Sequence, residues 1–181
     1  MKLRFIQAIL ALCFSIHCSA VSAISLFGID LAEATTDNLR DAAKLAGVVL
    51  IREGGQGNWF DSYDSSAVFP GSTFLYLGFL KQDKRLAFAE YEFTGRPQPG
   101  TLKLLNLKYG QPQVKSGKFL SDREYQWEID TVEIKYYFDW HRYKTRLTYI
   151  NPGAIEKVQK EQRKFIGGNP NGKGQPLNNY Y

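Results

Sequence analysis

The stretch VEIKYYFDWHRYKTRLTYI, from Val132 to Ile150, decides the fold. Val132, Ile134, Tyr136, Phe138 and Trp140 alternate with Glu133, Lys135, Tyr137 and Asp139. Beyond His141, the residues Tyr143, Thr145, Leu147 and Tyr149 alternate with Arg142, Lys144 and Arg146. A period of two belongs to a strand with one face turned to a core. Folding the stretch about His141-Arg142 puts Trp140 opposite Tyr143, Phe138 opposite Thr145 and Tyr136 opposite Leu147. The same register sets Asp139 against Lys144, and a slip of one residue would destroy both patterns. The stretch predicts an antiparallel hairpin with an apolar face and a wet face.

Working outward, Arg123–Ile129 reads as a further strand, preceded by a helix that Thr101 caps. Leu102, Leu105 and Tyr109 face inward along that helix, and Gly110 and Pro112 stop it. The turn-rich GRPQPG of residues 95–100 separates this half from an earlier one in the same order. There Thr35-Thr36-Asp37 opens a helix with Leu39, Ala42, Ala43 and Ala46 inward, and Gly47 ends it. Strands follow at Val48–Glu53, Trp59–Ser66, Thr73–Lys81 and Arg85–Phe93. Asn151-Pro152 starts a last helix with Ile155 and Val158 on its apolar stripe, ended by Gly167-Gly168. The expectation is an α+β fold. Two helix-plus-antiparallel-meander units, residues 24–95 and 100–166, pack as one compact domain or two small ones. Residues 167–181, rich in Asn, Gly and Pro, read as a disordered tail.

Residues 1–23, MKLRFIQAILALCFSIHCSAVSA, read as a signal peptide. Lys2 and Arg4 precede an apolar run of about a dozen residues, and Val21-Ser22-Ala23 offers a small-residue cleavage site. His17, Cys18 and Ser19 interrupt the run before the roughly 20 residues a membrane span needs. Cleavage would place the protein in the periplasm or outside the cell, with no transmembrane segment. It would also remove Cys13, Cys18 and His17, leaving His141 as the one histidine. That excludes a disulfide framework, a cysteine nucleophile and a Cys-containing zinc site, so neither metal nor cofactor is expected. Bulky Leu12 and His17 before the two cysteines argue against a lipid anchor.

The 181 residues carry 23 Lys+Arg and 18 Asp+Glu, with 44% hydrophobic and 14% aromatic content. So apolar a chain folds rather than stays disordered. Its charges are interspersed, which argues against nucleic acid, because phosphates select a basic stripe.

The candidate chemistry is sparse. His141 beside Asp139 could serve as a general base, but spacing supplies no nucleophile, and a hairpin turn accounts for both residues. Asp61 and Asp64, three apart in a strand, point to opposite faces and cannot share a cation. Gly54-Gly55-Gln56-Gly57 lacks the GK[ST] ending of a phosphate loop and reads as a turn. Glu90 and Glu92 share one face and would suit a glycosidase pair. Among the many aromatics, Tyr137 stands on the polar face between Lys135 and Asp139, the best exposed anchor.

The element order over Thr36–Phe93 and Thr101–Ile150 resembles two exported bacterial groups. One is the small lipoproteins of outer-membrane assembly, the other the secreted β-lactamase-inhibitor proteins, which duplicate a helix-plus-four-strand unit. The chain departs from the first in lacking a lipidated cysteine, and no inhibitor contact residue can be matched. The resemblance implies a binding or accessory role. The expected function is non-catalytic recognition of a protein or cell-envelope component through the sheet surface. Tyr137, Asp139, His141, Arg142, Lys144 and Arg146 are the candidate binding residues. The alternative is a small cell-wall or polysaccharide hydrolase using Glu90 and Glu92.

Overall fold

Thr35 and Asn38 cap each other's backbone at the start of the first helix. The Asn38 N–H donates to the Thr35 hydroxyl, and the Thr35 N–H donates to the Asn38 side-chain oxygen at 2.8 Å. Such a reciprocal box satisfies two donors that a helix start otherwise leaves open. The helix, α1 (Thr36–Leu45), ends where Gly47 takes a left-handed φ of 89°. In this computed structural model, residues 24–54, 60–116, 123–158 and 160 are described. The expected signal peptide, the glycines at 55 and 57 and the expected tail lie outside them.

A short hairpin, β1 (Ser25–Leu26) and β2 (Ile29–Asp30), precedes α1. Then come β3 (Val49–Arg52), β4 (Phe60–Asp64), β5 (Ser72–Phe79) and β6 (Leu86–Thr94). The second half supplies α2 (Pro99–Tyr109), β7 (Gln113–Ser116), β8 (Arg123–Ile129), β9 (Val132–Asp139) and β10 (Lys144–Ile150). A last helix, α3, covers 152–158. The fold is α+β, as the sequence predicts. The eight long-range strands form one antiparallel sheet in the order β3-β4-β5-β6-β10-β9-β8-β7. Each half is therefore a helix followed by a four-stranded meander, and the last strands of the two meanders pair. The hairpin register is the expected one, with Phe138 opposite Thr145, Tyr136 opposite Leu147 and Asp139 opposite Lys144.

One face of the sheet carries the main core. Leu39 and Ala43 of α1 and Leu105 of α2 join Leu75, Leu77, Tyr91, Leu147, Ile134 and Tyr136 there. On the opposite face, Ala154 and Val158 of α3 close over Phe60, Leu80 and Phe88. Asn151 accepts a hydrogen bond from the Ala154 N–H at 3.2 Å, which caps α3 at the expected place. At Gly78 the ring of Phe88, its cross-strand partner, lies where a Cβ would stand.

Several expectations need correction. α2 opens at Pro99 with Gln98 before it, three residues ahead of the expected Thr101 cap, because proline fits the first turn, where its missing N–H costs nothing. Ala46 is exposed, since the helix is already turning away toward Gly47. Trp140 and Tyr143 stand exposed at the hairpin tip, where only the Tyr143 ring reaches back to buried Phe138. Strand β7 was not expected at all: its QVKS sequence has no apolar alternation and is exposed throughout. The wet face of the hairpin is the largest departure. Six of the seven residues of β10 are buried, because β10 lies between β6 and β9 at the middle of the sheet.

Candidate binding surface at the central hairpin and the sheet edge

Strand β10 places Lys144, Arg146 and Thr148 on the face away from the main core, opposite Thr94, Glu92 and Glu90 of β6. Strand β9 brings Tyr137 and Asp139 to the same face from the other side. The expected binding residues and the alternative carboxylate pair therefore meet in one cluster. The Arg146 guanidinium pairs with Glu90 and lies 3.6 Å from Glu92 and 3.8 Å from Asp139. Lys144 pairs with Glu92 at 2.9 Å, and the Thr148 hydroxyl donates to Glu90 at 3.1 Å. Three carboxylates thus surround two cations.

Burial sets the electrostatics of the cluster. The side chains of Arg146 and Glu90 are 3% and 4% exposed. Burial pushes the Glu90 carboxyl up to about 7, against the pull of Arg146 and the Thr148 hydroxyl. Burial alone would pull Arg146 down, but Glu90, Tyr137 and the other acids leave it above its ordinary value. The Tyr137 hydroxyl is raised by burial and by Glu90. Tyr137 is partly buried and packs into the cluster, which corrects its expected role as an exposed anchor. Arg146 is likewise corrected from a wet-face contact to a buried ion-pair partner. A charge so placed holds two strands together, and removing one partner would strand the others.

Of the six expected binding residues, His141 and Arg142 stand exposed at the turn. Asp139 holds that turn, accepting from the Arg142 backbone N–H at 3.3 Å with the Arg142 guanidinium 3.7 Å away. The structure gathers Tyr137, Asp139, Lys144 and Arg146 into the ion cluster and leaves His141 and Arg142 at the tip.

Asp61 points to the main-core side and Asp64 to solvent, on opposite faces as expected. Asp61 accepts from Arg40 Nε at 2.7 Å and Nη2 at 2.8 Å, from the Gly54 N–H at 2.6 Å and from the Tyr63 hydroxyl at 3.1 Å. This buried carboxylate ties α1 and the end of β3 to β4. Gly54 thereby has a structural partner in Asp61.

The sheet edge supplies a surface that the sequence reading missed. Val49, Leu50 and Ile51 of β3 are 64%, 49% and 54% exposed, and Leu45 at the end of α1 is exposed more fully still. Val49 pairs with Asp64 and Leu50 with Tyr63, but Arg52 pairs with Ser62, so Ile51 sits in a β-bulge. Val49 and Leu50 lie in regular register with Asp64 and Tyr63 and so project to opposite faces; with Ile51 at the bulge, three consecutive aliphatic residues reach solvent around this edge. The VVLI run from Val48 reads as part of a strand, with no sign of whether it is covered. The signal that could have placed it outside is its position as the first strand of a meander, which leaves one side unpaired. Among the described residues, no group of His, Cys, Asp and Glu is arranged to hold a metal ion, and no helix is long and apolar enough to cross a membrane.

No known family model matches the sequence, and no curated protein matches it. Among solved structures, the chain is similar to a DUF4309 family protein (YjgB) from Bacillus subtilis subsp. subtilis str. 168. That likeness has a TM-score of 0.46 at 15% identity and covers 71% of this chain and 87% of the other.

Proposed function

We propose that the chain is an exported, non-catalytic binding protein that docks a protein partner on the apolar patch of Leu45, Val49, Leu50 and Ile51. The observation that carries the reading is the exposure of these four aliphatic side chains within seven residues of chain. Clustered exposed aliphatic residues along an edge strand mark sites of association. Among the described residues, strand β3 is the last of its sheet on this side, and such an edge can add an extended segment of a partner. The bulge at Ile51 interrupts that edge and so disfavours unlimited strand stacking. Export rests on the charged and apolar pattern of residues 1–23. The resemblance in element order to secreted inhibitor proteins is in keeping with an accessory role.

The hydrolase alternative draws no support from the geometry of Glu90 and Glu92, both buried and both engaged by cations. A photo-activatable side chain introduced at Ile51 in the full chain tests the reading. In extract of the source envelope it should give one saturable protein adduct, competed by excess unlabelled protein and absent with the same probe at exposed Asp130. Adducts of equal yield from both positions would contradict it.

A further inference from the structure

A cleft of about 350 Å³ opens beside the N-terminal end of α2, on the side of the sheet opposite the ion cluster. Its apolar lining is Pro97, Pro99, Leu102, Tyr125 and Phe138, and its cations are Arg96 and Arg123. Cavities of this size with aromatic walls and a few polar groups are where small molecules bind. Among the described residues, neither arginine takes part in an ion pair, whereas Arg40, Arg142 and Arg146 all do. Two cations without acids beside an apolar wall complement an anion carrying an apolar body.

The cleft is held in shape before any ligand arrives. The Gly95 N–H donates to the Tyr143 carbonyl at 3.1 Å, and the Thr145 hydroxyl donates to the Gly95 carbonyl at 2.7 Å. Arg96 thus follows a residue pinned to the end of β10 and precedes a proline. Buried Tyr136 belongs to the core that Leu105 and Leu102 of α2 pack into, which holds α2 against the sheet. Phe138 is braced edge-on by Tyr143 with 5.4 Å between ring centroids. A wall so braced loses little freedom on binding.

We propose that this cleft binds a small anionic amphiphile, a carboxylate or phosphate head joined to a flat or alkyl body. Arg96 and Arg123 take the head, and Tyr125, Phe138 and Leu102 take the body. The site is separate from the β3 patch and stands whether or not that patch binds a protein.

The probe is the aromatic sulfonate 8-anilino-1-naphthalenesulfonate, titrated by fluorescence into the full chain carrying Leu50→Lys, which puts a charge in the β3 patch. The expected result is saturable binding at one site, weakened about tenfold or more in Arg96→Gln/Arg123→Gln and weakened by added salt. The double variant should melt at the same temperature as its parent, because both arginines are exposed. Decanoate and decyl phosphate should displace the probe and decanol should not; which of the two anions wins identifies the head group. Equal binding by the double variant, displacement by decanol as effective as by the anions, or no saturable binding would each overturn the proposal.

Discussion

Arg146 of β10 and Glu90 of β6 form a buried ion pair across the seam where the two meanders meet. Thr148 lies directly opposite Glu90 and Arg146 directly opposite Glu92, so the pair is a diagonal one that staples two cross-strand neighbours at once. Arg146→Met should therefore cost about 3–5 kcal/mol in urea unfolding at pH 8, because it leaves ionised carboxylates buried without a partner. Adding Glu90→Gln to Arg146→Met should recover part of that loss. Additive losses in the double variant would show that the two residues do not act as a pair.

The pH dependence of stability follows from Glu90. In the unfolded chain its carboxyl releases its proton near the ordinary 4.5, whereas burial holds the proton in the fold up to about 7. The folded state binds more protons between these values, so this group's contribution to stability is complete below about 4.5 and lost as pH rises through about 7. Glu90→Gln should abolish that decline, which for a shift of this size is on the order of 3 kcal/mol. Comparing urea midpoints of both proteins at pH 5 and pH 8 measures it. An unchanged difference between the two pH values in the variant would assign the slope to other groups.

Gly78 has no room for a side chain. A Cβ built there falls 2.0 Å from the Phe88 ring. Phe88 is held by Phe60 and α3, so the ring has little freedom to yield. Gly78→Ala should destabilise the protein by about 1–3 kcal/mol, and Phe88→Leu in the same chain should relieve part of the cost. Thermal melts of the two variants decide the point. A melting temperature unaffected by Gly78→Ala would mean that α3 does not fix the ring.

How far the sequence reveals this molecule depends on which contacts are local. The Tyr136–Leu147 register follows from alternation on either side of one turn, and the structure has it as expected. The burial of Arg146 depends on Glu90, 56 residues away in the chain. No local pattern shows that β6 pairs with β10 rather than with a strand of its own half alone. The same holds for the β3 edge. Its apolar run signals a strand, but whether a strand is covered is a property of the whole sheet. Polar Gln113–Ser116 became a strand because β8 offered an edge to it, against its own weak preference.

The β3 patch is surface in the free protein. Leu50→Lys/Ile51→Lys should therefore leave the thermal midpoint within about 1 kcal/mol of the parent in stability, as surface substitutions do. Trp140→Ala, at the exposed tip, serves as the comparison. A melt of each variant beside the parent checks the assignment, and a large loss in the β3 variant would place those side chains in the core.

The most direct test of the account is quantitative capture of the cross-linked partner by these three forms of the full chain in the source envelope extract. The account expects the parent and the tip variant to capture one protein with equal efficiency, and Leu50→Lys/Ile51→Lys to lose at least about tenfold while remaining folded. Undiminished capture by the β3 variant, or loss confined to the tip variant, would contradict it.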